Sequence, residues 1–297
     1  MVVAGLGLCS LDYISTINKF PQEDSKLEVP CWELHGGGPV PTALVTLARL
    51  NVSTRFMGIV GHDEAGQIIQ KGLQAEGVDT QFMVKGEAGL SQIAVILANT
   101  ANGTRTIFWA KSTAGEIQEC DVVPSFFDHV SFIHLDGHML SASIKAAAQA
   151  RARGIPVMLD AGSMRHGLME LIELCDYVVA SQRFSEVFGK GSHEHTLRQL
   201  LKKGLKAAAV TLGQKGSITA TDDGLLFQPA FPVKAVDTTG AGDVFHGAYI
   251  YGLINHWPVA KAIRFASWAA AMKCRKPGGR AGIPTFEEAA AFIKNQQ

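Results

Sequence analysis

Apolar residues fall along this chain in two alternating rhythms. Short, nearly continuous runs at 2–8, 54–60, 131–135, 156–159, 177–180 and 207–212 read as strands buried on both faces. Between and after them, apolar residues recur three and four apart at 42–50, 64–76, 141–153, 195–204, 241–254, 258–273 and 285–294, which reads as helix. Strand alternating with helix predicts βαβ units, and so an α/β fold with a mostly parallel sheet covered by helices on both faces. Two regions break the rhythm. Residues about 11–35 and 80–110 read as strands with no helix between them. Tyr13, Ser15 and Ile17 alternate with Ile14 and Thr16, and the apolar run at 92–97 leads through Asn102-Gly103, a favoured hairpin turn, to 106–109. These segments predict a small antiparallel sheet over the edge of the large one, within a single domain spanning 1–297.

Composition narrows the class. The chain has 297 residues, 47% hydrophobic and 18% charged, as a globular protein does and a disordered or fibrous one does not. Lys plus Arg and Asp plus Glu are 27 each, so net charge points to no nucleic-acid or membrane-surface partner. Five widely spaced cysteines, Cys9, Cys31, Cys120, Cys175 and Cys274, form no C-x-x-C and are expected as buried free thiols of a reducing compartment. The apolar N-terminus lacks a basic region and meets Asp12, which suits a first strand rather than a signal peptide, and no apolar run is long enough to span a membrane. A cytoplasmic location is expected.

The run from Val236 to Gly247 carries the chemistry. Gly240, Ala241 and Gly242 let the backbone turn tightly with its amides uncovered, and Val244, Phe245, Ala248, Tyr249, Gly252 and Leu253 then recur at helical spacing. A helix starting near Ala241 aims its unpaired amides and positive dipole end at whatever lies in front. Asp243, in the first turn, sets a proton acceptor beside that anion site. The pairing suits phosphoryl transfer to a hydroxyl, although acids are favoured in first turns for dipole reasons alone. By contrast, Gly5-Leu6-Gly7-Leu8-Cys9-Ser10 is a poor dinucleotide fingerprint: its last position is Ser, and a strand pattern follows where a helix is required. His193-Glu194-His195 lacks a metal-binding spacing and reads as a solvated helix start.

The string Asp237-Thr238-Thr239-Gly240-Ala241-Gly242-Asp243 with Phe245 and Gly247 resembles the C-terminal signature of the ribokinase-like, or PfkB, sugar kinases. Further matches span the chain from Asp12 to Pro284. The resemblance implies a Rossmann-like core with a β-sheet lid, and homodimers paired through lids, where Trp32 and Trp109 would serve. It makes Asp243 the catalytic base and Gly240, Ala241 and Gly242 the anion hole. Asp12 would grip sugar hydroxyls beside Gly37 and Gly38, in a stretch that resembles the family's Gly-Gly-x-x-x-Asn-x-Ala turn but carries Pro41 where Asn usually stands. The run Gly58 to Gly66 resembles the N-terminal signature, with Asp63 as an organiser of the helix start. Thr211, Gly213, Gly216 and Ser267 would contact ATP. Asp237, Thr239, Lys273, Gly278 and Gly282 match the positions whose carbonyls hold a potassium ion; carbonyls, rather than the lysine charge, would be the ligands. Lys273, Arg275, Lys276 and Arg280 are also the cations expected where a helix ends. The usual Asn-x-x-Glu near the magnesium-bound phosphates is replaced by Ser181-Gln182-Arg183-Phe184 with Glu186 beyond, so Mg2+ is expected to be held mainly through water and ATP.

The C-terminal third is most similar to the ketohexokinase and sulfofructose-kinase branch. The expected activity is ATP-dependent phosphorylation of a primary hydroxyl of a free sugar, a fructose-like ketohexose first. A sulfo- or acid sugar, a nucleoside, or a non-catalytic sugar- or nucleotide-sensing role on the same fold are the alternatives.

Overall fold

The computed structural model describes residues 1–101 and 104–295; the turn expected at Asn102-Gly103 lies outside the described residues. The apolar runs form one sheet of nine strands, in spatial order Gly224–Gln228, Ser217–Thr221, Ala207–Thr211, Tyr177–Ser181, Val157–Ala161, Val130–Leu135, Val2–Leu6, Ser53–Met57 and Val78–Asp79. From Ala207–Thr211 onward all neighbours are parallel, with Val2 to Leu6 in register with Ser53 to Met57 on one side and Ala4 opposite Ile133 on the other. The first two strands are an antiparallel hairpin at the edge.

Each strand divides its side chains between two cores with the period of two that a pleat imposes. Ala4, Leu6, Ile133, Leu135, Val157 and Leu159 face helices Leu140–Ala152, Leu168–Ile172, Gln182–Phe188 and His193–Leu201. Val3, Phe132, Met158 and Val179 face the opposite layer, built from Pro39–Arg49, Glu64–Ala75, Ala241–Ile254, Val259–Lys273 and Phe286–Lys294. Both faces of the sheet are thus covered, and fully burying one Leu or Phe on either contributes about 2 kcal/mol.

The lid is a separate sheet of four strands, in order Glu33–Gly37, Ser10–Ile17, Ile93–Asn99 and Thr104–Ala110. It differs from the expected one in two ways. Ser10–Ile17 and Ile93–Asn99 pair parallel, so the lid is mixed. Residues 18–32 form no strand, and Val84–Lys85 pairs instead with Ile59–Val60 in a sheet of its own. The clean alternation read at 13–17 is also absent: Ile14, Ser15 and Ile17 are all buried, because this strand is central in the lid. One side of the lid is open to solvent at Tyr13, Leu34 and Phe108, which stand in register across its strands; Trp109 is exposed on the other side, the one that carries Asp12, and Trp32 is exposed just before the strand Glu33–Gly37. The cysteines are free as expected, but only Cys9, Cys175 and Cys274 are buried; Cys31 and Cys120 are exposed. No helix among the described residues is long and apolar enough to cross a membrane.

Candidate active site

The chain turns into the helix Ala241–Ile254 at Gly240, whose φ of 75° is left-handed. A Cβ on Gly240 would come within 2.8 Å of the Gly279 carbonyl oxygen, so glycine meets both the turn and the contact with the neighbouring loop. No side chain caps this helix. The Ala241 amide turns back onto the Thr238 carbonyl at 3.2 Å, and the first bond of the helix runs from the Val244 amide to the Gly240 carbonyl. The Gly242 and Asp243 amides, first-turn donors with no partner in the preceding turn, are left for a ligand, whereas the Ala241 amide of the expected anion hole is already bonded. Asp243 lies among them, half-buried. Burial, with the Asp160 carboxylate adding to it, pushes its carboxyl up to about 7 against the pull of His246 and Arg105. A base with that affinity is matched to neutral pH.

On one side of Asp243 is a cavity of about 590 Å³. Thr211, Gly213 and Gly216, from one strand end and its turn, and Ser267, from the distant helix Val259–Lys273, line it together with Ala241 and Gly242. Thr211 and Gly213 come from the C-terminal end of a parallel strand, where α/β sheets receive ligands. Phe231 to Val233 and Phe245 close the rest of the wall, and Arg105 reaches in from the lid to donate to the Thr238 hydroxyl at 2.9 Å.

On the other side lies Asp12. The strand Ser10–Ile17 carries it, Ser10 donates to its Oδ1 at 2.7 Å, and its Oδ2 lies so close to the Gly37 backbone that no Cβ would fit there. Gly38, next in line, precedes the helix Pro39–Arg49, in whose first turn Pro41 is buried without needing a donor. Burial raises the Asp12 carboxyl, and Ser10, Arg280 and His35 oppose it. The charge of Asp12 in turn raises Asp243, which puts the two carboxylates within electrostatic reach across the cleft. The sequence motifs did not single out the rest of this wall. Asp136 follows the strand Val130–Leu135 and accepts from the Leu8 and His138 amides at 2.8 and 2.9 Å. His138 Nε2 is 2.7 Å from the Arg165 guanidinium, and Asp160 lies in the next strand. Their signal was position: each sits in or just after a strand of the parallel sheet, on the side where ligands enter.

A nucleotide-sized cavity at a helix N-terminus, with an Asp raised toward neutral pH and further carboxylates within electrostatic reach of it, suits a phosphotransferase. The model of the pfkB family of carbohydrate kinases matches residues 3–286. The chain belongs to this family. Among similar proteins, the deoxyribokinase of Salmonella typhimurium is 27% identical over 97% of this chain and 97% of its own length. The ketohexokinase of Mus musculus is 25% identical over 92% and 96%. A solved structure from Agrobacterium tumefaciens, assigned as a ribokinase, matches with TM-score 0.92 at 25% identity over 99% of this chain and 98% of that one. The ribokinase of Arabidopsis thaliana, solved with ribose and ATP, shares the fold with TM-score 0.83 at 22% identity over 98% of both chains.

The segment after Tyr177–Val179, where the resemblance leads one to expect Asn-x-x-Glu, is a capped helix start. Ser181 caps the short helix Gln182–Phe188, accepting from the Phe184 amide at 3.0 Å while donating to the Gly162 carbonyl at 2.7 Å. Glu186 is bonded to Gln182. Among the described residues no group of three or more His, Cys, Asp or Glu could hold a metal ion. Asp63 organises the opposite end of the sheet: it caps Glu64–Ala75 through the Gly66 amide and takes the Ser91 amide at 2.8 Å, tying helix to lid.

Two loops of the kinase meet below the anion hole. The Val236 amide donates to the Cys274 carbonyl at 2.8 Å, and the Asp237 carboxylate accepts from the Thr239 amide and hydroxyl and from the Gly278 amide. Gly282 packs its backbone against the carbonyl of Lys273. All five positions that resemble a potassium cage are therefore together. The cations expected where the helix ends do not share one environment. Arg275 and Lys276 are exposed, but Lys273 is fully buried and Arg280 nearly so.

Proposed function

We propose that this sugar kinase transfers the γ-phosphoryl group of ATP to a primary hydroxyl of a free sugar, a fructose-like ketohexose first. The observation that carries the reading is the position of Asp243 and the two free amides between the cavity at Thr211–Gly216 and the carboxylate of Asp12. Asp243 takes the proton of the attacking hydroxyl, the hydroxyl oxygen bonds to the γ-phosphorus, and the bond to the β-phosphate oxygen breaks to leave ADP. The Gly242 and Asp243 amides and Arg105 face the charge that builds on the transferred group. Magnesium carried by ATP supplies charge neutralisation of the phosphates.

Substrate class follows from charge. Asp12 and Asp160 lie within electrostatic reach of Asp243, and Asp136 within reach of Asp160, while Arg280 is directed at the Gly37 carbonyl and Asp12, and Arg105 at Thr238. Such a wall accepts hydroxyl donors and repels a dianionic sugar phosphate. An acid sugar is the second reading, favoured by the Arg165–His138 pair. ATP consumption over a panel of ketoses, aldoses, sugar acids, sugar phosphates and nucleosides tests both. Turnover of fructose 6-phosphate or a nucleoside alone overturns the free-sugar reading and leaves the kinase chemistry standing. We also propose a homodimer through the exposed lid face of Tyr13, Leu34 and Phe108, for which sedimentation is the test.

A further inference from the structure

The family resemblance calls for a potassium ion held by carbonyls of the two loops, and the residues present do not fit one. An ammonium group is already inside the cage. The helix Val259–Lys273 ends on Lys273, whose side chain is fully buried and whose Nζ donates to the carbonyl oxygen of Asp237 at 2.8 Å. That oxygen is one the ion would need. The Asp237 carboxylate is committed too: Oδ1 accepts from the Thr239 amide at 2.8 Å and its hydroxyl at 2.7 Å, and Oδ2 accepts from the Gly278 amide at 2.9 Å. An added cation would lie against the Lys273 charge with water excluded, where like charges repel strongly. Buried ammonium groups need a carboxylate or several acceptors, and here the Asp237 residue supplies both a carbonyl and a negative charge.

We propose that the Lys273 ammonium does the work of the monovalent cation, so that the anion-hole loop is ordered from within the chain and turnover is independent of potassium. The geometry explains how. Asp237 is the residue from which Thr238, Thr239 and Gly240 lead into the free amides of Gly242 and Asp243. Holding its carbonyl to the end of Val259–Lys273 fixes that turn against a helix already packed in the core. A flexible lysine has three donors and can reach carbonyls that would otherwise ring an ion. Lys273 is a positioning residue: it acts on the amides through Asp237.

The test compares potassium chloride with tetramethylammonium chloride at equal ionic strength for the wild type and for Lys273→Ala, which opens the cage to an external ion. Sugar turnover and melting temperature are both read, the second needing no substrate and so standing apart from the kinase assignment. The wild type should show the same rate and melting temperature in the two salts. Lys273→Ala should lose about tenfold or more in rate without potassium, as loss of anion-hole order does, and recover in rate and melting temperature when potassium is added. A merely structural lysine would give no such rescue. Potassium activation of the wild type by about fivefold or more overturns the proposal, and so does a Lys273→Ala enzyme that runs normally in tetramethylammonium. Should Lys273→Ala fail to fold, Lys273→Ser, equally short and so leaving the cage open, takes the same comparison, and the wild-type arm refutes without either.

Discussion

Asp243→Asn should make the enzyme slower and more stable at once. Burial and the charge of Asp160 raise this carboxyl from an ordinary 3.8 to about 7, so the fold prefers it protonated. Below the ordinary value the group is neutral in both folded and unfolded chains and costs nothing. Between about 4 and 7 the unfolded chain ionises while the folded one does not, and each pH unit removes about 1.4 kcal/mol from the wild type relative to the variant. Above 7 both ionise and the gap stays constant, at no more than about 4 kcal/mol because the cleft admits water. Urea titrations without nucleotide should therefore find the two proteins alike near pH 4 and the Asn variant more stable at pH 8. Activity should move the other way. The variant's kcat should fall roughly 10²-fold or more, and the wild-type kcat/KM should drop about tenfold from its plateau by pH 6, where one carboxyl in ten is ionised. A stability gap that is the same at both pH values would refute the environment assigned to Asp243. Near-native kcat at saturating sugar would refute its role.

Three further substitutions separate the parts of the site. Asp12→Ala should raise the sugar KM by about tenfold or more, the cost of a lost charged hydrogen bond, while steady-state kinetics show the ATP KM unmoved. Arg105→Gln keeps a donor but loses the charge beside Thr238, and kcat should fall about 10²-fold with less effect on the sugar KM. Gly240→Ala forces a side chain into a left-handed turn at φ 75° and against Gly279, so thermal melting should show a loss of at least about 1–2 kcal/mol together with reduced kcat.

The fold was legible where burial dictates sequence. Strands covered on both faces had to be continuous apolar runs, and helices packed on one face had to show their spacing. The short helices Leu168–Ile172 and Gln182–Phe188 span too few turns to display a period. The edge hairpin carries a signal of its own: Ser217–Thr221 and Gly224–Gln228 flank Asp222-Asp223, polar turn residues between β-favouring runs. The first helix starts at Pro39, three residues before the apolar spacing begins, because proline is at home in a first turn where no amide donor is needed.

The site was legible in proportion to how much of it is backbone. An anion hole is made by consecutive amides, so one contiguous string, Gly240 to Asp243, announces it wherever it occurs. The proposed acceptor side is different, because Asp12 comes from the lid, Asp136 and His138 from the end of Val130–Leu135, and Asp160 and Arg165 from the end of Val157–Ala161, and they acquire meaning only when the fold brings these together. The two buried cations show the limit most clearly. Lys273 and Arg280 stand in sequence beside Arg275 and Lys276, and charge pattern treats all four alike. Burial divides them: the exposed pair is solvated, whereas Lys273 must find Asp237, and Arg280 lies against Gly36, with Asp12 and Glu76 as the carboxylates that favour its charge. Lys273 thus ties the turn that leads into Asp243 to the end of a core helix, and Arg280 bonds to the Gly37 carbonyl beside Asp12. Cations that stand side by side in sequence are anchored in two different parts of the fold, and only burial tells them from the solvated pair.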